Sequence, residues 1–298
     1  MSWKNLFGSS KAKKSEANNT KPSQPAKDIK VIIQTDLGNI RTNNEDAGLY
    51  VRMADNAMEK GSLLIVADGM GGHQAGEVAS RMATEIISTE YFKNDGNTNI
   101  EKQLIKVFTL ANKNIYDAAA SNAAQRGMGT TCTALVVDNE QLYYAHVGDS
   151  RAYILKQNTI SRITQDHTYV QELVSKGEIT AAEAEEHPQR NILTNAMGTK
   201  PTVRVDTGKA PMLFQDNDRL LLCSDGLYDY LSDDELAAML TNTTLQEAAA
   251  QMIAEAKRRG GHDNITVVLA ERESEIVTTV SKETRDIILP VTKEIDLP

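Results

Sequence analysis

The sequence contains few cysteines and histidines and no long apolar run. Its two cysteines, Cys132 and Cys223, lie inside apolar strand-like segments without metal-ligand spacing. We therefore expect buried packing residues in a reducing compartment rather than a disulfide framework. No stretch approaches the ~20 apolar residues of a membrane span, and the N-terminus lacks the apolar region of a secretory signal. These absences predict a cytoplasmic protein with no membrane span.

Net positive charge is also absent. The 298 residues carry 32 basic and 41 acidic side chains, a net charge of −9, which argues against nucleic acid as a partner. Hydrophobic residues make up 40% of the chain, enough for a sizeable core. No GKS or GKT motif supports binding of a nucleoside triphosphate.

The two ends differ in composition from the middle. Residues 1–30 hold seven lysines and two acidic residues among many Ser, Asn and Pro, a composition that cannot bury enough apolar surface to fold. We predict a disordered basic and polar tail over residues 1–29, a folded domain over 30–271 and a C-terminal extension over 272–298. The roles of both tails stay open: a solvated tail or an anionic-surface contact at the first, an added strand or a docked partner at the second.

The middle of the chain alternates strand-like and helical patterns. Runs rich in Val, Ile, Leu and Tyr predict strands at 63–69, 131–139, 141–149, 151–156, 202–207, 219–226 and 264–271. Helical periodicity covers 77–92, 100–120 and 245–261. The segment 164–199 is polar with two short helical stretches, and we predict a mobile flap there. Strand pairs in hairpins and long helices between them favour an α+β fold, with antiparallel sheets covered by helices.

Acidic residues recur where we expect strands to end, most of them beside Gly or Asn. The set is Asp36, Asp46, Asp68, Asp149, Asp225 and Asp263. One such aspartate is ordinary turn chemistry, but neighbouring strands would bring several carboxylates into one small volume. Bare carboxylates so close would repel and take up protons, and a multivalent cation removes that conflict. Oxygen ligands without His or Cys favour Mg²⁺ or Mn²⁺ completed by water.

Eight motifs in order resemble the metal-dependent protein phosphatase family, PPM, the type 2C serine/threonine phosphatases, in its bacterial branch. They are "DLGNIRTNNEDA", "VADGMGGHQAGEVAS", "GMGTTCTALVV", "AHVGDSRAYIL", "ITQDHTYVQELV", "HPQRNILTNAMG", "LLLCSDGLYD" and "GGHDNITVVLA". The resemblance covers about residues 30–271. It implies a two-sheet antiparallel β-sandwich flanked by helices on both sides, in α/β/β/α order, with a helical flap insert at about 164–199.

The resemblance also implies the site. Asp46, Asp68, Asp225, Asp263 and the carbonyl of Gly69 would bind two Mn²⁺ or Mg²⁺ ions, with Asp68 bridging them.

Glu45 would hold a metal-bound water, and Arg41 would bind the substrate phosphate through its donor fork. Arg41, Glu45 and Asp46 are thus the expected catalytic residues. Asp149 with Asp225 would form a third, weaker metal site.

The expected reaction is hydrolysis of phosphoserine and phosphothreonine by direct attack of a metal-bridging water, without a phosphoenzyme. Phosphoproteins would be the substrates, and a serine/threonine kinase the opposing partner. Met70 stands where many eukaryotic members have a histidine acting as general acid, and we do not assign that role to His73. The proton donor for the leaving group therefore stays open, with a metal-bound water as our expectation.

Residues near the motifs receive structural interpretations. We expect Asp36 to fix its turn or to hold a water next to the metal ligands rather than to bind a metal itself. We expect Asn264 to order the loop of Asp263, and Ser150 and Arg151 to hold the loop of Asp149. His146 is predicted to be a packed strand residue. His167 and His187 are predicted to be exposed flap residues.

Two other functions stay open at this stage. One is a catalytically silent relative that uses the sandwich as a binding module, although no metal aspartate is missing. The other is a metallophosphoesterase for nucleotides or small phosphate esters, although such enzymes usually recruit histidine ligands and the five histidines here form no such pattern.

Overall fold

The computed structural model describes residues 29–52, 61–72, 75–93 and 99–272. The predictions made for the two tails and for His73 lie outside these residues. Among the described residues, no helix is both long and apolar enough to cross a membrane.

Eleven strands and seven α-helices are assigned within the described ranges. The strands are β1 (Ile29–Asp36), β2 (Asp46–Arg52), β3 (Ser62–Met70), β4 (Gly129–Thr130), β5 (Cys132–Asp138), β6 (Gln141–Val147), β7 (Arg151–Lys156), β8 (Thr159–Arg162), β9 (Asp206–Leu213), β10 (Arg219–Cys223) and β11 (Ile265–Arg272). The helices are α1 (Ala75–Lys93), α2 (Ile100–Ser121), α3 (Tyr169–Lys176), α4 (Ala181–Glu185), α5 (Asp225–Tyr228), α6 (Asp233–Leu240) and α7 (Leu245–Arg259).

The strands form two antiparallel sheets. One sheet has the order β1-β11-β10-β7-β8, and the other has the order β2-β3-β5-β6-β9, with β4 paired to β3. Every pairing between these strands is antiparallel. The α+β prediction of antiparallel sheets is confirmed.

Three apolar layers explain why the central strands are continuous hydrophobic runs. In β3, Leu63 and Ile65 pack on α1 and α2, while Leu64 and Val66 face the other sheet. Side chains alternate between the two faces of a strand, and here both faces are buried. On the far side, α5, α6 and α7 pack on β10 and β11. The predicted α/β/β/α order is therefore confirmed.

The flap insert lies between β8 and β9 and contains α3 and α4, as predicted. The helix α3 begins after Thr168, whose side chain accepts a hydrogen bond from the Gln171 amide, and ends at Gly177 in the left-handed region. The side chain of Thr180 and that of Glu183 form a capping box at the start of α4. These local signals explain why two short polar helices form here.

One strand was predicted at the wrong position, and one strand that carries a site residue was missed. The strand predicted at 202–207 begins only at Asp206 and continues to Leu213, because its partner β6 pairs with residues from Asp206 onward. The strand β2, from Asp46 to Arg52, was not predicted. Its Gly48 weakened the strand pattern, but an added Cβ there would lie 2.9 Å from Ile33, so a close approach of β1 accounts for the glycine.

Candidate metal centre

Two aspartates form a direct cross-strand pair at one end of the sandwich. Asp46 opens β2 and pairs in register with Asp68, which lies inside β3 two residues before its end. The prediction that both aspartates come after a strand was therefore wrong. The prediction that they lie close together is confirmed, because the strand register pairs them directly. Like charges directly opposite each other destabilise a strand pair, so this arrangement calls for a compensating cation.

Two further carboxylates reach the same end from the other sheet. Asp225 is the first residue of α5, two residues after the end of β10, and Asp263 lies two residues before β11. Burial raises the pKa of Asp68 well above its usual range, and the charges of Asp46, Asp225, Asp149 and Asp263 raise it further. Five sequence-predicted carboxylates thus share one electrostatic environment.

The buried oxygens of this cluster lack protein partners. The Asp46 Oδ1 and Asp225 Oδ1 atoms are buried and accept no hydrogen bond within the described structure. The other oxygen, Asp46 Oδ2, accepts from the Ser224 hydroxyl at 2.7 Å. Burial raises the pKa of Asp46 to about 6, and burial followed by the Asp149 charge raises the pKa of Asp225. Buried polar groups are normally satisfied, so orphaned carboxylate oxygens fit a bound cation.

Side chains alone would not complete the coordination of a metal ion at this site, and water would have to supply the remaining ligands. In the described part of the chain, no three His, Cys, Asp or Glu side chains are already arranged as a ligand set around one ion. A hard cation such as Mg²⁺ retains several waters and needs only one or two carboxylates from the protein. The carboxylates fit hydrated oxygen-bound ions rather than a closed structural site.

Gly69 is required by close backbone packing beside Asp68. An added Cβ would lie 2.1 Å from the Gly76 carbonyl oxygen and 2.5 Å from that of Glu45. The Gly69 amide donates to the Glu45 carbonyl at 3.0 Å. The Asp68 carbonyl accepts from the Thr131 amide and the Thr130 hydroxyl, each at 2.9 Å. The Asp68–Gly69 backbone is therefore held tightly, with no space for a side chain.

Arg41 and Glu45 lie beside the carboxylates. Arg41 Nη2 donates to Asp263 Oδ2 at 2.7 Å, and its side chain is 46% exposed. Glu45 is buried, and desolvation raises its pKa despite the nearby Arg41 charge. Its amide donates to Asn264 Oδ1 at 2.8 Å, and Asn264 Nδ2 donates to the Leu37 and Asn43 carbonyls. Asn264 was predicted to order the loop of Asp263, and its side chain instead orders the neighbouring loop that carries Arg41 and Glu45.

The loop after β1 is also anchored from α7. Asp36 Oδ1 accepts from the Gly38 amide at 2.9 Å and pairs with Lys257, so Asp36 fixes its turn as predicted. Asn39 donates its side-chain amide to the Lys257 and Gly260 carbonyls. These contacts hold the segment that carries Arg41 against the end of α7.

Asp149 lies in the tight connection between β6 and β7. It is only 6% exposed, and burial raises its pKa to about 7. Ser150 contacts Thr131 through the two hydroxyl groups at 2.6 Å. Arg151 donates to Asp166 at 2.7 Å and stacks its guanidinium 3.6 Å from the Tyr228 ring centroid. Ser150 and Arg151 therefore hold this loop, as predicted.

The histidine predictions had mixed outcomes. His146 is fully buried on β6, as predicted, with Nδ1 at 2.8 Å from the Thr133 hydroxyl. The prediction for His167 was wrong: it is only 2% exposed. Its ring lies under the base of the flap, where it contacts the Gly148 amide and Asp206. His187 is half-buried in the flap.

An α/β/β/α sandwich with clustered strand-end carboxylates is the architecture expected of a metal-dependent phosphatase. A sequence model of the family described as "Protein phosphatase 2C" matches residues 41–259. The chain belongs to this family, and the resemblance identified from the motifs is confirmed.

Relatives of known name support the assignment. "Serine/threonine phosphatase stp" of Listeria welshimeri is 43% identical over 243 residues, covering 80% of this chain and 94% of that protein. "Protein phosphatase PhpP" of Streptococcus pneumoniae D39 is 35% identical over 251 residues, covering 83% of this chain and 99% of that protein.

Solved structures show the same fold. The Mycobacterium tuberculosis serine/threonine phosphatase PstP/Ppp has a TM-score of 0.73 at 35% identity, covering 83% of this chain and 99% of that one. A PstP catalytic domain in complex with two manganese ions has a TM-score of 0.67 at 33% identity, with the same coverage. The predicted fold and the predicted enzyme class, a protein serine/threonine phosphatase, are confirmed.

Proposed function

We propose that the carboxylate cluster is the catalytic centre of this phosphatase. In this proposal, two Mn²⁺ or Mg²⁺ ions would be held by Asp46, Asp68, Asp225, Asp263 and the Gly69 carbonyl, and Asp68 would contribute to both sites. The observation that carries the proposal is the pair of orphaned buried oxygens, Asp46 Oδ1 and Asp225 Oδ1. The manganese bound to the related PstP domain supports the choice of ion.

When bound, two such ions lower the pKa of a shared water and neutralise phosphate oxygens during in-line displacement. Glu45 is placed to orient water at the centre, because its carboxyl group is buried and its pKa is raised by desolvation. No side-chain nucleophile is required, so hydrolysis is direct and forms no phosphoenzyme.

Arg41 binds the substrate phosphate in this proposal. Its Nη2 is engaged by Asp263, but the described residues give its Nε and Nη1 groups no hydrogen-bond acceptor. Part of the guanidinium fork is therefore available to a phosphoryl group, which it suits geometrically. Loading of Asp263 with a metal would free the remaining donor.

Asp149 together with Asp225 forms a third, weaker cation site in this proposal. After burial, the Asp149 charge is the largest contribution to the raised pKa of Asp225, which supports a cation site shared by the two carboxylates. Met70 ends β3 two residues after Asp68, and its thioether has no dissociable proton to donate. We therefore assign protonation of the leaving alkoxide to water held at the centre.

The biological setting follows from the reaction class. We infer that the substrates are cytoplasmic phosphoproteins modified on serine or threonine, and that a serine/threonine kinase opposes the enzyme in signalling. We further propose that residues 30–271 are sufficient for catalysis, since the outermost described strands, β1 and β11, pair with each other over their full length.

Hydrolysis of a phosphothreonine peptide by metal-stripped protein tests this function. Activity should require added Mn²⁺ or Mg²⁺ and should collapse in Asp225→Asn. Asp117→Asn, an exposed aspartate on α2, is the matched control and should retain full activity. Folded protein without turnover in either ion would favour a binding module, and equal loss in both variants would separate the activity from the proposed centre.

A further inference from the structure

The ring of His167 ties the base of the flap to the loop that carries Asp149. The His167 amide donates to the Gly148 carbonyl at 2.7 Å. In return, the Gly148 amide donates to His167 Nδ1 at 3.2 Å. His167 thus meets both backbone groups of the residue directly before Asp149. No other described residue joins the flap to that glycine in this way.

These contacts define the tautomer of His167. Its Nδ1 accepts from the Gly148 amide and from Asn195 Nδ2, which lies at 2.8 Å. An atom that accepts carries no proton, so the neutral ring is protonated at Nε2. That N–H group donates to Asp206 Oδ2 at 3.0 Å. Asp206 thereby fixes the orientation of the ring, as an outer carboxylate orients a metal-ligating histidine.

A second chain of hydrogen bonds connects the same loop to Asp68. The Thr133 hydroxyl donates to the Ser150 carbonyl at 2.7 Å, so its oxygen accepts from His146 Nδ1. The Ser150 hydroxyl contacts Thr131 Oγ1, which accepts from the Asp68 amide at 2.9 Å. The rings of His146 and His167 lie 4.8 Å apart. The flap base, the Asp149 loop and Asp68 therefore form one connected polar network.

We propose that His167 is a positioning residue that holds the Asp149 carboxylate in place for its cation and couples the flap to the metal centre. This inference rests on the proposed function, because it concerns metal binding at that same site. The ring does not touch substrate; it acts through Gly148. Loss of the Nδ1 acceptor would release the Gly148 amide and let Asp149 move away from Asp225.

The test uses two substitutions at His167, one that keeps the hydrogen-bond acceptor for the Gly148 amide and one that removes it. In His167→Asn, the side-chain oxygen can occupy the position of Nδ1 and still accept from Gly148. In His167→Gln, the amide reaches the position of Nε2 and leaves Gly148 without its acceptor. The matched control is His187→Gln in the same flap, where the ring accepts a hydrogen bond from the Gln189 amide, lies 6.3 Å from the Tyr169 ring and has no hydrogen bond to Gly148. Asp206→Asn removes the orienting carboxylate at a half-exposed position and serves if the glutamine variant does not fold.

Calorimetric titration of each metal-free variant with Mn²⁺ is the primary measurement, and the Mn²⁺ concentration for half-maximal hydrolysis of a phosphothreonine peptide is the second. His167→Gln should weaken the weakest Mn²⁺ site by roughly 10-fold or more, the usual effect of losing an orienting partner. Saturating Mn²⁺ should restore its rate. His167→Asn should stay within about 3-fold of the parent, and Asp206→Asn should shift in the same direction as His167→Gln. His187→Gln should match the parent.

A double substitution separates positioning from general damage. Asp149→Asn should shift the same site, and His167→Gln combined with Asp149→Asn should add nothing further, since both act through one carboxylate. Three results would overturn the inference. They are additive shifts in the double variant, an unchanged Mn²⁺ affinity in both His167→Gln and Asp206→Asn, and a smaller fraction of active protein without a change in the Mn²⁺ concentration for half-maximal activity. A parent protein that neither binds Mn²⁺ nor hydrolyses the peptide would overturn the proposed function as well.

Discussion

Asp46 and Asp68 lie directly opposite each other in the paired strands β2 and β3. Burial raises the pKa of both, and each charge opposes ionisation of its neighbours. A sheet would not retain two facing aspartates for stability, because like charges in that position are destabilising. Their mutual repulsion therefore destabilises the metal-free fold, and we expect removal of one carboxylate of the proposed centre to raise stability while it lowers activity.

Asp225→Asn should abolish activity and stabilise the metal-free protein. We expect the rate to fall by more than about 100-fold, since loss even of outer metal partners costs 10–100-fold. The metal-free variant should gain about 1 kcal/mol, or roughly 2–4 °C in Tm, because a buried negative charge is removed from the cluster. Thermal unfolding in chelator measures this change. A lower Tm than the parent would show that the carboxylates do not repel in the folded state.

Added Mn²⁺ should reverse that order of stability. At a concentration about 100 times its dissociation constant, an ion stabilises the folded state by about 2.7 kcal/mol. The parent should therefore unfold at a higher temperature with Mn²⁺ than without it, whereas Asp225→Asn should respond weakly. Equal shifts in both proteins would place the bound ion elsewhere.

Arg41→Ala should weaken phosphate recognition more than stability. Loss of charged hydrogen bonds to the phosphate should lower kcat/KM for a phosphothreonine peptide by about 2 kcal/mol, roughly 30-fold. The kcat/KM of Arg41→Lys should lie between that of the parent and that of Arg41→Ala, because lysine keeps the charge but lacks the planar set of donors. The ion pair with Asp263 is exposed, so the free energy of unfolding should change by less than about 1 kcal/mol. An unchanged KM and kcat would remove Arg41 from the site.

Gly69→Ala and Gly72→Ala compare two glycines of the same motif. At Gly69 the new Cβ would lie 2.1 Å from a carbonyl oxygen, whereas at Gly72 it would meet no atom within 4 Å. Overpacking should cost Gly69→Ala about 1–3 kcal/mol and displace the Asp68 backbone. Gly72→Ala should be neutral or gain about 0.4–1 kcal/mol from a less flexible unfolded chain. Denaturant unfolding would contradict this account if both variants behaved alike.

The resemblance of the eight motifs to a known family was sufficient to predict the family, the α/β/β/α order and the cluster of aspartates, and five of these motifs join an apolar strand to a polar loop. The register of that cluster was not accessible from sequence. Asp46 was expected after a strand and instead opens β2. This strand was missed because Gly48, where β1 packs closely, interrupts its apolar pattern. Pairing of β2 with β3 decides which carboxylates face each other.

His167 shows a second limit of the sequence pattern. Polar neighbours in "TQDHTY" indicated an exposed flap residue, yet the ring is buried between Gly148, Asn195 and Asp206. Those three contacts come from positions 19, 28 and 39 residues away along the chain. A local pattern carries no information on such distant partners. The adjacent Asp166, which pairs with Arg151, was the available sign that this end of the flap is anchored.

Acidification should destabilise the protein through the buried pair His146 and His167. Burial lowers the pKa of His146 to about 3, with the His167 ring opposing its charge, and burial likewise lowers the pKa of His167. The charged groups facing the two rings are Asp166, Asp206 and Arg204. An unfolded histidine takes up a proton near pH 6.5, so between that pH and the folded-state pKa the unfolded chain binds more protons. Stability contributed by the neutral rings is therefore present above about pH 6.5 and is lost as the pH falls below it.

His146→Asn isolates this contribution. The variant can keep the hydrogen bond to Thr133 but has no ring to protonate, so its free energy of unfolding should depend less on pH. Between pH 6 and 4 the slope should fall by up to about 1.4 kcal/mol per pH unit relative to the parent. Urea unfolding at a series of pH values in chelator gives both slopes, and His187→Asn serves as the control. An unchanged slope in His146→Asn would mean that His146 is already protonated in the folded protein, and the Thr133–Ser150 network would then need a different proton arrangement.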